Sequence, residues 1–404
     1  MRLLVIVDTY VPERISAALQ MHDLVREMLR QGHVPTVVVP APELDRAWQI
    51  EQVDGVEVLR VRSLRTKDIG KVRRALAEWW LPRGLMRGLR RSALADVHWE
   101  GLVWYSPSIF LGPMVARLKR KHGCRGYLIL RDLFPDWAVD AGVLHKGGLA
   151  YRVFKRVERQ QYAIADVIGV QTPANEPLVR RDCPPAARIE VLNNWLAPPP
   201  VPEADVPLVQ GARADGLADG FLDGRFVFAY TGNMGPAQGM DGLIRLAEQL
   251  QARPEVVFLF VGRGSDVPRL RALADARRLD NVRFLDEIEA HRIPGLLARC
   301  HVGLIALDPR HTTHNIPGKL LTYLHAGLPV LARINPGNDL EGLIEREGIG
   351  HVLAGEDDDR LLALATALLD APAARAAMAA RGRALAGRMF SPAVAVEQVV
   401  AGLR

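Results

Sequence analysis

Three short stretches of this chain have the residue types to hold an anion and let it go. His314-Asn315-Ile316-Pro317-Gly318-Lys319 follows an apolar run and opens a helical stripe of Leu320, Tyr323 and Leu324 that stops at Gly327. Proline and glycine in a first helical turn suit a helix whose free N–H groups and positive dipole end face an anion. Lys319 adds a point charge in that turn; the plainer alternative is a solvated helix lysine. Tyr230-Thr231-Gly232-Asn233-Met234-Gly235 and Phe260-Val261-Gly262-Arg263-Gly264-Ser265 each leave an apolar run and precede a helical pattern. Glycine lets a ligand approach the backbone, and helix N-termini attract phosphate. The same two stretches also read as ordinary strand-to-helix turns. Lys319 and Arg263 together supply the positive charge that a departing nucleoside diphosphate needs.

Other chemistries are excluded on spacing. Neither glycine turn is GxGxxG, since position 267 is Val, and the turn from Asp8 to Ala18 has no glycine, which argues against NAD. Glu356-Asp357-Asp358-Asp359 contains an Asp-x-Asp, but it precedes a helical pattern, where acids favour the N-terminal dipole. His301, His311 and His314 lack the HExxH spacing of a zinc site, so no metal is expected. Cys124, Cys183 and Cys300 lie far apart without a CxxC, which predicts neither a disulfide framework nor a cysteine zinc site and fits a reducing, cytoplasmic compartment.

The elements that must position these residues form an α/β pattern. The chain has 404 residues, 49% hydrophobic and 24% charged, which predicts a globular protein of two or three domains. Leu3 to Val7 is a first strand rather than an export signal, because Asp8 cuts the apolar run short. Leu19, His22, Val25, Met28 and Leu29 recur at helical spacing up to Gly32, and Pro35–Val39 is the next strand. Further strands are expected at Val56–Val61, Val103–Tyr105, Tyr127–Leu130, Val167–Val170 and Ile189–Leu192. After a break at 196–224, with five prolines and four glycines, strands resume at Phe226–Tyr230, Val256–Val261, Val282–Phe284, Val302–Leu307 and Pro329–Ala332. This alternation predicts two parallel sheets covered by helices, in two Rossmann-like domains facing across a cleft. The expected bounds are 1–200 for the first domain, 201–224 for a linker and 225–388 for the second. A last helix over 389–404 is expected to pack back on the first domain.

The formal charge is +6, and it is concentrated. Arg60 to Arg91 holds eleven Lys or Arg against Asp68 and Glu78, a local +9 that leaves the other residues at −3. That distribution argues against nucleic acid as a partner. Within it, Lys71, Arg73, Arg74, Arg83, Arg87, Arg90 and Arg91 alternate with apolar residues that include Trp79 and Trp80, and Pro82 predicts a split into two short helices. Basic amphipathic segments bearing tryptophan lie in anionic membrane interfaces. Their alternative is a helix that packs its Trp pair inward, so the exposure of Trp79 and Trp80 decides between the two. No apolar run approaches the ~18 residues of a membrane span.

The order of these motifs carries a resemblance. Two α/β units, a proline-rich linker, GNMGxxQG from Gly232, VGRG from Val261 and IPGKLLTYLHAGLPV from Ile316 resemble, essentially end to end, the retaining family-4 glycosyltransferases of GT-B fold. Trp104 to Phe110, Tyr127 to Gly142 and Asn193-Asn194-Trp195 are similar to the bacterial N-acetyl-L-fucosamine transferases of O-antigen and capsule assembly. The resemblance implies a UDP-sugar donor and an acceptor saccharide on undecaprenyl diphosphate, handled peripherally on the cytoplasmic face of the inner membrane. The chain departs from the wider family at Asn233 and Gln238, where Arg and Lys are usual, and at His314 and Thr322, where glutamates are usual. Arg131-Asp132 stands for a His-Asp pair, and Ser16-Ala17-Ala18 for a glycine-rich loop.

The implied donor site comprises Gly232, Asn233, Met234, Gln238, Gly262, Arg263, Gly264, Asn315, Ile316, Pro317, Gly318, Lys319 and Thr322. Asp132 is expected to orient the attacking hydroxyl, and Arg131 to neutralise charge or position Asp132; a structural Arg–Asp contact is the alternative. Ser16, Ser106, Ser108 and Asp136 complete the acceptor side, although Asp136 also reads as a cap. Rival readings are another donor sugar on the same fold, a UDP-sugar epimerase that needs no acceptor, and an inactive membrane-bound sugar-binding scaffold.

Overall fold

A computed structural model describes the chain apart from residues 14, 67–68, 141, 199–219 and 311–315, and apart from the side chains of Lys71, Val72 and Asp140. The expected site residue Asn315, together with His311 and His314, therefore lies outside the described residues, as does most of the expected linker. The chain divides into two compact units: Met1–Leu196 with Pro392–Arg404, and Ala197–Ser391.

The first unit is an eight-stranded sheet. In chain order its strands are β1 (Arg2–Ile6), β2 (Val34–Pro40), β3 (Trp48–Val53), β4 (Val56–Val61), β5 (Gly101–Ser106), β6 (Arg125–Leu130), β7 (Val167–Val170) and β8 (Arg188–Val191). The spatial order is β3-β4-β2-β1-β5-β6-β7-β8, parallel throughout except for β3, which pairs antiparallel with β4. Because side chains alternate across a strand, β1 feeds two cores. Leu4 and Ile6 join Trp99, Trp104 and Tyr162 on one face, and Leu3 and Val5 join Met21, Met28 and Trp195 on the other. The helix Pro392–Leu403 belongs to this second core through Val396, Val399 and Leu403, and Gln398 ties it to the Val191 carbonyl at 2.9 Å.

Strand β3 is absent from the predicted strands because it is a half-buried edge strand whose apolar residues are interrupted by Gln49, Glu51 and Gln52. Its signal is the Asp54-Gly55 turn, both residues at positive φ, which suits a tight hairpin. Pro82 does not divide its segment: Lys71–Arg91 is one helix of 21 residues with the proline inside it.

The second unit is a six-stranded sheet of β9 (Phe226–Thr231), β10 (Val256–Val261), β11 (Val282–Leu285), β12 (Val302–Ala306), β13 (Val330–Ile334) and β14 (Gly350–Ala354). Its order is β11-β10-β9-β12-β13-β14, with every pair parallel. The order reverses between β9 and β12, and open parallel sheets bind ligands outside the strand ends at such a point. Strands buried on both faces read as continuous apolar runs, and β10 (VVFLFV) is buried at every position.

Candidate functional site

At the carboxyl ends of β9 and β10 the two glycine turns lock together, backbone on backbone. The Met234 N–H donates to the Arg263 carbonyl at 2.8 Å, and the Asp266 N–H donates to the Met234 carbonyl at 3.1 Å. Gly262 and Gly264 have φ of 142° and 158°, and a Cβ on them would meet the Gly232 and Met234 carbonyl oxygens at 2.0 Å. Their glycine identity is therefore required by the neighbouring turn, whether or not a ligand approaches. The Met234 side chain is fully buried in the sheet core and takes no part in a surface. Asn233 donates to the Gln238 side-chain oxygen at 3.0 Å, and the same oxygen accepts the Gly235 N–H at 2.8 Å. That pair fixes the turn with neutral groups and leaves Gly232 and Asn233 exposed.

The helix Gly318–Ala326 opens behind Pro317 and ends at Gly327, which adopts the left-handed conformation. Tyr323 anchors it: its hydroxyl accepts the Thr231 N–H at 2.9 Å and donates to the Leu304 carbonyl at 3.1 Å. Lys319 lies one turn earlier on the same face. Its ammonium sits 3.6 Å from the centroid of the Tyr230 ring, and the Tyr230 hydroxyl donates to the Asn233 carbonyl at 2.6 Å. No carboxylate pairs with Lys319 among the described residues, and loss of hydration pulls its pKa down to about 7. Helix, tyrosine and glycine turn thus converge on one underhydrated cation. Arg263 is exposed and pairs with Glu287 at 3.2 Å. Ile316 is buried, while Thr322 is half-buried one turn after Lys319. In the sequence Tyr323 reads only as part of a helical stripe and Tyr230 as the end of an apolar run, because aromatic residues at such positions read as core.

In the first unit, Arg131 follows β6 and lies over the Trp195 ring, its guanidinium carbon 5.0 Å from the centroid. It donates to the Leu192 carbonyl at 2.8 Å and the Asn193 carbonyl at 3.3 Å. The Trp195 indole N–H is held in turn by the Gln20 carbonyl at 2.7 Å. Burial lowers the Arg131 pKa to about 10. Asp132, next in the chain, is reachable by solvent. Its surroundings strip enough hydration to hold the carboxyl above the ordinary range, with the Arg131 charge pulling the other way.

Three residues expected on the acceptor side make contacts within the first unit or lie in its core. Ser108 is buried and accepts the Phe110 N–H at 3.4 Å, capping the short 3₁₀ turn Ile109–Leu111. Ser106 is fully buried at the end of β5. Asp136 accepts from the Tyr151 hydroxyl at 2.8 Å and from Lys155 at 2.7 Å. Lys155 also meets Glu158 and Asp182 at 2.7 Å, and burial pushes the Glu158 pKa up to about 7. The tyrosine and lysine bonds tie the helix Asp136–Asp140 to the helix Leu149–Ile164. Ser16 is exposed at the start of the helix Ser16–Arg30.

The basic helix Lys71–Arg91 buries Leu81, Leu85, Met86 and Leu89 in the first core. Arg73, Arg74, Arg83, Arg87, Arg90 and Arg91 are exposed, and Trp79 and Trp80 are 44% and 55% exposed. Of the arginines, Arg74 pairs with Glu78 at 2.7 Å, and Arg83 lies over the Trp80 ring at 4.9 Å. The lysine at position 71 has no described side chain. Among the described residues no single helix is long and apolar enough to cross a membrane. The acidic run from Glu356 serves the helix Asp358–Asp370: Asp357 caps it through the Arg360 N–H at 2.8 Å, and Asp358 pairs with Arg245.

Comparison with known proteins defines the class. Residues 17–195 match the glycosyl transferase 4-like domain, and residues 225–371 match glycosyl transferases group 1. The solved structure of Anabaena HepE in complex with UDP and glucose superposes with a TM-score of 0.69 at 15% identity, over 100% of this chain and 99% of that one. The chain has the GT-B fold, and each of its two units carries a match to a glycosyltransferase domain.

Among curated relatives, the probable glycosyltransferase WbjE of Pseudomonas aeruginosa is 27% identical over 231 residues, 56% of each chain. A GDP-mannose-dependent monoacylated alpha-(1-6)-phosphatidylinositol monomannoside mannosyltransferase of Corynebacterium glutamicum is 35% identical over 170 residues, 41% of this chain and 43% of that one. The chain thus spans about half the length of these two relatives.

Proposed function

We propose that this enzyme moves an acetamido-deoxy sugar of the N-acetyl-L-fucosamine type from a UDP donor, with retention, to a saccharide on undecaprenyl diphosphate in O-antigen or capsule assembly. The observation that carries the donor half is Lys319, a cation stacked on Tyr230, poor in hydration and without a carboxylate partner among the described residues. A protein keeps such a charge where an incoming anion completes it. The first-turn N–H groups at Gly318 and Lys319, behind Ile316 and Pro317, add the positive helix end. Arg263 exchanges Glu287 for a phosphate oxygen, Gly232 and the Asn233–Gln238 pair border the donor, and Thr322 offers a hydroxyl to the nucleoside. Gly262, Gly264 and Met234 shape these turns from behind.

On the acceptor side Asp132 orients the attacking hydroxyl, and Arg131, held by Trp195 and two carbonyls, positions Asp132. The bond from the anomeric carbon to the diphosphate breaks as the new glycosidic bond forms on the same face, and a diphosphate oxygen takes the acceptor proton. This needs no metal. The exposed Trp79 and Trp80 on a basic helix support peripheral docking at the anionic cytoplasmic face of the inner membrane, where a lipid-linked acceptor resides.

A second reading keeps the chemistry and changes the donor to a GDP-sugar, favoured by the mannosyltransferase relative that is 35% identical. A thermal-shift panel of UDP, GDP, dTDP and CMP without metal separates the two. A ligand at about 100 times its Kd stabilises by about 2.7 kcal/mol, a shift of several degrees. UDP alone should produce it, and Lys319→Met should abolish it. A shift with GDP alone makes the second reading the right one. A shift with none of them removes the donor assignment.

A further inference from the structure

The first unit carries a second exposed apolar surface that no donor or acceptor role uses. Trp137 and Val143 are each 43% exposed, Val153 is 44% exposed, and Leu149 is 81% exposed at the start of the helix Leu149–Ile164. The stretch 141–157 contains no acid but four basic residues, Lys146, Arg152, Lys155 and Arg156. Lys155 is buried in its ion pairs, whereas Arg152 and Arg156 are exposed and line one groove with Val153. A surface that mixes exposed aliphatic side chains with arginine is complementary to anionic headgroups above a hydrocarbon layer.

This surface continues from the basic helix. Trp79 meets Phe110 edge-on at 5.8 Å, Phe110 meets Phe154 at 6.3 Å, Phe154 meets Phe134 at 5.1 Å, and Phe134 meets Trp137 at 6.0 Å. Both helices pack on the same turn, Ile109–Leu111. One row of rings therefore runs from an exposed indole of the basic helix to an exposed indole five residues after Asp132. The bonds of Asp136 to Tyr151 and Lys155 fasten that end of the row to the helix Leu149–Ile164.

We infer that Trp137, Leu149 and Val153, with Arg152 and Arg156, form a second membrane-docking element, which sets the three apolar side chains into the interface of an anionic bilayer and the two arginines against its headgroup phosphates. The inference rests on the peripheral reading of the basic helix and extends it: two attachments hold the strand end that bears Asp132 at a set height over the bilayer. Each arginine near an anionic leaflet is worth about fivefold in binding, and joined attachments multiply.

The test is co-sedimentation of the full chain with phosphatidylcholine vesicles, with and without phosphatidylglycerol. Unaltered protein should bind the anionic vesicles. Leu149→Ser with Val153→Ser should weaken that binding about tenfold, and Arg152→Gln with Arg156→Gln about twentyfold. Both variants should keep the nucleotide-induced thermal shift of the second unit. The arginine pair carries the test should the serine pair fail to fold. Undiminished binding by these variants, alongside loss on Trp79→Ser with Trp80→Ser, overturns the second element and leaves the basic helix standing. Absence of binding by unaltered protein overturns both. Lipid-independent self-association that the serine pair abolishes makes a second copy of the chain the occupant, and the inference fails.

Discussion

The Lys319 ammonium rests 3.6 Å from the centre of the Tyr230 ring, and the Tyr230 hydroxyl holds the backbone of the glycine turn at Asn233. Cation, aromatic platform and loop are one assembly. With a pKa of about 7, Lys319 is only partly charged in the free enzyme near neutrality. A bound diphosphate stabilises the charged form, so binding draws in a proton. At about pH 8, calorimetry in buffers of different ionisation heats should report close to one proton taken up per UDP. Affinity should weaken by up to about tenfold per unit as pH rises above 7. Proton-independent binding would remove Lys319 from the diphosphate.

The same residue makes a stability prediction. Its ordinary pKa is 10.5 and its folded value about 7, so between these values the unfolded chain holds a proton that the native state does not. Stability from this group therefore rises with pH through that window, and the cost of burying the charge is fully present below it. Lys319→Met should abolish nucleotide binding yet raise Tm by about 2–6 °C below pH 7. The gain should fade towards pH 10. A variant that is less stable at every pH would show that the lysine is structural.

Gly264 tests whether the interlocked turns are needed for the site to form. A Cβ there would reach the Met234 carbonyl oxygen at 2.0 Å, at a φ of 158° that other residues rarely adopt. Gly264→Ala should cost about 2 kcal/mol or more, lower the melting of the second unit by about 4–8 °C and weaken UDP binding. Gly387→Ala is the control, since that glycine stands in open space inside the helix Pro372–Met389. Removing glycine from a helix interior should stabilise slightly and leave binding alone. Equal losses in both variants would count against the interlock.

How much was legible from sequence followed from what buries each element. β10 and β12 announce themselves because both faces are covered, whereas the edge strand β3 shows only as a turn signal beside polar residues. Lys319 and the glycine turns stand out by residue type and spacing, whereas the Arg131-Asp132 pair is implied only by the family resemblance. Their supports show in neither way: Tyr323 bonding across to Thr231, Trp195 stacking on Arg131 and Lys155 reaching Asp136 join residues 92, 64 and 19 positions apart. Local pattern carries no information about such pairings. For the same reason the sequence does not show that Ser108 caps the turn Ile109–Leu111 or that Asp136 ties two helices together.

Arg131 and Trp195 supply the last prediction, which separates positioning from structure. Arg131 makes its contacts to Trp195 and to the Leu192 and Asn193 carbonyls, and Asp132 projects from the same strand end. Asp132→Asn should cut kcat by 10²–10⁴, the range of a lost proton-handling or orienting group, with UDP affinity unchanged. Arg131→Lys keeps the charge but loses the planar fork that spans two carbonyls and stacks on an indole. It should lower kcat about tenfold or more, leave the donor KM unmoved and destabilise the first unit. Because Arg131 acts through Trp195, Trp195→Leu should reproduce much of that loss, and the double variant should cost less than the two singles combined. Additive effects would mean that the stacking contact serves the fold alone. A kcat loss in Asp132→Asn that tracks loss of folded protein would return the pair to a structural role.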